Sequence, residues 1–267
     1  MYNEIFKLSE NINGSLFKCQ RCGACCSKDI LRVQKGGMGI DYRGNYVKDP
    51  KISATLFTFE KPILERNIKK VSNIKPRFLP AMAFYMKAFK IGFVSLYQLP
   101  IKTDGSCYYY DNNLKKCKIY EIRPIACRIF PLTTMKTFPT LANDCPGVSK
   151  LISSIPSKKH HINLENPYFA PYRAMFSKES LMSEIYDFIL EEHADIISIL
   201  QPLFHDLYSY NIRFKDYSLY DLGDIGKWSE AKGRYRKLVK QYELRLKDLE
   251  LSIVNKFRIL LKSIKEV

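Results

Sequence analysis

Cys19-Gln20-Arg21-Cys22-Gly23-Ala24-Cys25-Cys26 places four thiols within eight residues, in the spacing C-x2-C-x2-C-C. Four more follow at Cys107, Cys117, Cys127 and Cys145, and no cysteine lies beyond. Thiolates are soft donors that suit zinc and iron–sulfur clusters. Two cysteines separated by two residues can turn back so that both sulfurs reach one centre. Gly23 supplies a residue that tolerates the positive φ such a turn needs. Cys25 and Cys26 are neighbours whose side chains tend to diverge, so one serves the main centre and the other a second centre, a hydrogen bond or nothing.

The run C-x2-C-x2-C also opens the ligand set of bacterial ferredoxins, where the fourth cysteine is remote and precedes a proline. Cys145-Pro146 offers that remote partner across a longer gap. Two other thiol chemistries fit less well. Eight cysteines allow four disulfides, but disulfide scaffolds are short and secreted, and this chain has 267 residues. A thioredoxin-type CxxC needs a βαβ context that the pattern does not offer.

The second cysteine set must be carried to the first by local structure. Tyr108 to Tyr110 suits a strand, Asp111-Asn112-Asn113 a turn, and Lys118-Ile119-Tyr120 a return strand, which predicts a hairpin with Cys107 and Cys117 near its arms. Pro124 suits the first position of a short helix that Pro131 ends, with Cys127 inside it. Arg123 and Arg128 flank that cysteine and would balance the charge of an anionic thiolate cluster.

Cys19, Arg21, Cys22, Gly23, Cys25 and Cys26 read CxRCGxCC. Gly105 and Cys107 read GxC. Cys117, Ile119, Tyr120, Glu121, Arg123, Pro124, Cys127, Arg128, Phe130 and Pro131 read CxIYExRPxxCRxFP, and Cys145-Pro146 closes the set. This ordered pattern resembles the YkgJ-type CxxCxxCC family over roughly residues 15–150. The resemblance implies a zinc- or iron-chelating domain or an iron–sulfur protein. A flagellin lysine methylase carries a related cysteine motif, which adds a metal-dependent protein-modifying enzyme as an alternative.

The remaining sequence frames this core. No run of about 18 apolar residues exists to span a membrane; the nearest, Phe78 to Pro100, is interrupted by Lys87 and Lys90. The N-terminus lacks a basic and apolar leader, so a reducing cytoplasm is the expected compartment. The net charge is +16. Residues 1–150 hold 25 Lys/Arg against 11 Asp/Glu, residues 151–226 hold 6 against 11, and residues 227–267 hold 12 against 5. A basic domain attracts polyanions, yet no RRM, KH or helix-turn-helix signature supports nucleic-acid binding.

The pattern predicts an α+β protein. A small cysteine-rich metal-binding domain with short antiparallel strands and helices spans 1–150, a linker 151–168, and an all-α region 169–267. Within the first part we expect a strand over 29–33, an edge hairpin over 42–47, helices over 62–74 and 81–90, a strand over 91–99 and a loop over 138–144. Beyond it we expect a helix from Ser177 to about Leu200, with His193 exposed. A second, irregular helix over 203–222 and a turn at Gly223 and Gly226 should follow, then a long helix from Ser229 to about Lys265. In that last helix Tyr235, Val239, Tyr242, Leu246, Leu249, Ile253, Phe257, Leu260 and Ile264 form a near-heptad stripe, which suits docking on its own domain or on a protein partner.

The first functional reading is a cytoplasmic iron–sulfur protein. A 4Fe-4S cluster would be held by Cys19, Cys22, one of Cys25 and Cys26, and Cys127 or another later cysteine, for electron transfer or redox sensing. The alternative is a structural zinc-binding interaction module drawing on the same eight thiols. No paired acid/base constellation, nucleotide motif or Ser-His-Asp order points to a particular reaction.

Overall fold

The computed structural model describes residues 17–26, 32–33, 38–40, 46–48, 51–52, 54–71, 73–86, 89–135, 138–142, 145–151, 161–163, 176–203, 217–228, 233 and 235–265. It is an α+β protein with short, largely antiparallel strands and a helical C-terminal region. The chain forms two compact units, each made of separated segments. The first comprises Met1–Ile30, Tyr109–Leu190 and Glu250–Val267, the second Leu31–Tyr108 and Glu191–Leu249.

The second unit is built on one strand, β7 (Ile91–Gln98). Its residues Gly92 to Ser95 are all buried, the near-continuous run expected of a strand covered on both faces. β6 (Leu79–Met86) pairs antiparallel along one edge of β7. Two shorter strands share its other edge: β5 (Thr55–Phe57) runs antiparallel beside Leu96–Gln98, and β13 (Ser218–Asp221) runs parallel beside Ile91–Val94. Gly92 is needed here by crowding. A Cβ on it would meet Leu219 at 2.7 Å and Tyr85 at 2.9 Å, its cross-strand neighbours.

After β5 comes α1 (Glu60–Val71), which buries Leu64 and Ile68 one turn apart. Glu60 reaches back to accept the Phe57 N–H at 3.1 Å, satisfying one donor at the helix start. Lys61 pairs with Asp221 at 3.0 Å and tilts over the Tyr97 ring. Around β7 the expectation for 91–99 holds, while four others are corrected. Residues 79–86 are strand rather than helix, because pairing with β7 overrides the helix preference of Ala and Met. Tyrosine-rich 218–221 is also strand, and Gly223 and Gly226 lie within a 3-10 helix, Leu222–Lys227. His193 is 3% exposed, not solvated; its ring meets the edge of Phe57. Two small pairs complete the strands: β1 (Arg32–Val33) with β4 (Lys51–Ile52), and β2 (Met38–Ile40) with β3 (Tyr46–Lys48). The predicted turn around Gly44 lies outside the described residues.

In the first unit, the hairpin of β8 (Tyr110–Asp111) and β9 (Lys116–Cys117) leads through a 3-10 turn, Tyr120–Ile122, into α2 (Ile125–Arg128). A three-stranded antiparallel sheet follows, in the order β10 (Leu132–Met135), β11 (Phe138–Ala142), β12 (His161–Asn163). β11 replaces the expected loop. Its Pro139 pairs only toward Thr134, beyond the Thr140–Ala142 stretch that β12 covers, so its missing N–H interrupts no ladder on that side. α3 (Pro146–Leu151) lies between β11 and β12. Phe17, Leu132, Cys145, Val148 and Phe176 form a buried cluster, with Cys19, Phe130 and Leu151 packed against it.

The long helices each contribute to both units. α4 (Ser177–Ser198) buries Leu181, Ile185 and Ile189, then Ile196 and Ile197. α5 (Arg236–Lys265) buries Val239, Tyr242, Leu249, Ile253 and Phe257, most of the predicted stripe. That stripe therefore packs within this chain. No helix among the described residues is long and apolar enough to cross a membrane.

Candidate metal centre

The cysteine loop owes its shape to local backbone demands. Gly23 has φ +71° and its carbonyl accepts the Cys26 N–H at 2.8 Å, closing the 3-10 turn Ala24–Cys26. Gly23 also lies face to face with Tyr110. A Cβ there would strike the Tyr110 ring, with Cδ2 at 2.8 Å, so both conformation and space demand glycine.

Tyr110 is the cross-strand partner of Cys117. The hairpin thus delivers a later cysteine to the loop, with its return strand at 116–117 rather than at 118–120. Its turn is held by Asp111, whose Oδ1 accepts the Asn113 and Leu114 N–H groups at 2.9 and 3.0 Å. Lys118 pairs with the other oxygen at 3.2 Å. The Leu114 N–H, followed by Lys118, holds the Asp111 carboxyl below its usual range.

The sulfurs converge through pairwise contacts. Cys25 and Cys26 Sγ atoms lie 3.8 Å apart. Cys26 also hydrogen-bonds Cys117, and this contact, aided by Arg123, pushes the Cys117 thiol down to about 7. The Cys26 contact likewise lowers Cys25, against its burial and with help from Arg123. Cys19 hydrogen-bonds Tyr120, whose hydroxyl is raised to about 12, first by burial. Cys127 lies in α2, and its charge, with those of Cys19 and Cys25, acts on Arg123. Cys22 and Cys25 act on Cys145 and on Tyr110. Cys145 is the apolar corner: burial drives its thiol up to about 11, although the Val148 and Gly147 N–H groups favour the thiolate.

Seven of the eight predicted cysteines, Cys19, Cys22, Cys25, Cys26, Cys117, Cys127 and Cys145, therefore belong to the first unit and act on common neighbours. Cys107 belongs to the second unit, where it is buried and bridged to Ile101. None of the eight forms a disulfide. Among the described residues, no three Cys, His, Asp or Glu side chains are spaced to hold one ion as they stand. Cys26 stands as a hydrogen-bonding neighbour of both Cys25 and Cys117, contacts in which a thiol carries a proton. Metal binding would release those protons, and thiolates are the form that ligates.

Three residues of this site carry roles that residue spacing did not reveal. Tyr110 covers the cysteine turn. The Tyr120 ring carries two guanidinium groups, Arg21 at 4.4 Å and Arg123 at 4.2 Å from its centroid. Glu121 pairs with Arg21 at 2.9 Å, linking the first cysteine loop to the segment after the hairpin. Cation–π stacking has no period in sequence, so no spacing rule could have found it.

One α+β unit thus holds seven of the eight cysteines, four of which, Cys19, Cys25, Cys117 and Cys127, act on or feel the Arg123 guanidinium. Residues 18–146 match the model of the CxxCxxCC family, described as "Putative zinc- or iron-chelating domain", and the match takes in all eight cysteines. The resemblance read from the cysteine pattern thus holds, and it indicates chelation of zinc or iron. Over 137 residues the chain is 26% identical to the uncharacterized protein MJ0661 of Methanocaldococcus jannaschii, covering 49% of this chain and 53% of that protein. The chain thus spans about half the length of the curated relative it matches. No solved structure matches the chain.

Proposed function

We propose that the chain is a cytoplasmic metal-binding protein whose thiols hold an iron–sulfur cluster of the 4Fe-4S type for electron transfer or redox sensing. Chelation by the cysteines of residues 1–150 is the core of this reading; the exposed side of α5, with Leu244, Leu251 and Ile259, offers a surface to a protein partner. The observation that supports it is the Cys25–Cys26 sulfur pair at 3.8 Å, in a unit where Cys19, Cys25, Cys117 and Cys127 share the guanidinium of Arg123 as a charged neighbour. The ligands would be Cys19, Cys22, one of Cys25 and Cys26, and Cys127. Cys117 and Cys145 remain in the ligand pool, as does Cys107 on its sequence pattern alone. A cluster would supply one-electron chemistry, and its four cysteine ligands would serve four irons, one each.

One distance favours a second reading. Two thiolates on one zinc ion, each at about 2.3 Å in tetrahedral geometry, lie about 3.8 Å apart. Cys25 and Cys26 Sγ stand at 3.8 Å. On that reading the pair shares one structural zinc, and the protein has no redox role. Anaerobic purification followed by an absorbance scan and metal and sulfide analysis separates the two. Iron with equal sulfide is expected, and a colourless protein holding stoichiometric zinc refutes the cluster. Cys25→Ser and Cys26→Ser sharpen the result, because a cluster tolerates one of them and a shared zinc ion tolerates neither.

A further inference from the structure

Two arginines flank Cys127, and the backbone uses only one of them. Arg128 donates from Nε to the Arg123 carbonyl at 3.0 Å and from Nη2 to the Glu121 carbonyl at 2.5 Å. It staples the 3-10 turn to α2. Arg123 is half-buried as a residue, but its Nε is shut off from water and has no hydrogen-bond partner. Leaving such a donor unmet costs stability. Its guanidinium charge has Tyr120 and the thiols of Cys19, Cys127 and Cys25 as electrostatic neighbours. Its position is fixed rather than searching, because the Tyr120 ring lies 4.2 Å beneath it. That ring is itself steadied by Arg21, which stacks on it at 4.4 Å while paired with Glu121.

We infer that Arg123 is the built-in counter-ion of the metal–thiolate centre, held over Tyr120 with Nε kept open for a ligand sulfur, whereas Arg128 braces the backbone of the turn before α2. This rests on the reading of a thiolate centre in the first unit. A thiolate-bound metal or cluster carries net negative charge, and an oriented N–H toward sulfur both offsets that charge and fixes the ligand. The cost of the unmet donor is then recovered when the centre is loaded.

The test compares Arg123→Gln, Arg123→Lys and Arg128→Gln with wild type in the full chain. Each is loaded in parallel with zinc and with iron plus sulfide. The readouts are metal per protein, the rate at which a competing chelator strips the metal, and the melting temperature. Arg123→Gln should lose metal about ten- to a hundredfold faster than wild type, with Arg123→Lys between them. Arg128→Gln should melt earlier but release metal at the wild-type rate. Equal release from Arg123→Gln and wild type overturns the inference, and so does equal acceleration by Arg128→Gln. Should Arg123→Gln not fold, Arg123→Lys decides: loading to the wild-type level supports the counter-ion role, and failure to load overturns it. A wild-type chain that takes up neither metal refutes the metal-centre reading itself, so the two failures are distinguishable.

Discussion

Arg123 and His193 each bury a nitrogen that has no hydrogen-bond partner, one in each compact unit. Their surroundings differ. Arg123 is ringed by groups that can carry negative charge, Cys19, Cys25, Cys117, Cys127 and Tyr120. His193 has the edge of Phe57 and an apolar sheet core, and burial alone pushes its imidazole down to about 4. The first unit therefore sets a fixed cation among groups that can become thiolates, whereas the second holds a buried base that stays uncharged.

Withdrawing metal should break this contrast most visibly. Structural zinc contributes on the order of 10 kcal/mol to small thiolate modules. On adding a strong chelator, amide exchange should accelerate across 17–26 and 109–128, while the β7 amides stay protected. Uniform deprotection of both regions would show that the sheet depends on the centre as well.

Acid should act on the second unit. The His193 imidazole has its pKa near 4 in the folded protein and about 6.5 in an unfolded chain. Between these values the unfolded state binds more protons, so stability rises with pH and is lost as pH falls from about 6.5 to 4. The full loss is on the order of 3 kcal/mol. Denaturant melts at stepped pH should show it, and His193→Leu should remove that component of the slope.

The smallest effect lies within the thiol set. Cys117 titrates near 7 and Cys145 near 11, so at pH 8 the first is mostly thiolate and the second almost wholly thiol. Metal-free protein treated briefly with iodoacetamide should carry label at Cys117 well before Cys145, read by peptide mass mapping. Equal labelling would mean that the electropositive and apolar sides of the site are not distinct.

The cysteine loop, the hairpin and the short helix with Cys127 were legible because each rests on local rules. A glycine needed at positive φ, an Asx-type turn at Asp111 and a proline before a helix all act within a few residues. The strands at 79–86 and 218–221 were not, because both exist by pairing with β7, and one partner comes from 127 positions away in sequence, Ile91 with Ser218. His193 was misread for a related reason. Glu192 and Asp195 beside it suggest a solvated face, but burial on that helix is set by what packs against it. The Tyr120 stack, built from Arg21 and Arg123 across about a hundred residues, had no local signature at all.

The shared edge of β7 has a bearing on how the protein can be cut. A fragment ending at residue 150 would retain every cysteine but lack β13, stripping hydrogen bonds from Ile91 to Val94. Such a bare, apolar ribbon invites other chains to pair with it. A piece cut for its thiols alone is thus prone to clump, and the distant tyrosine-rich segment acts as its shield.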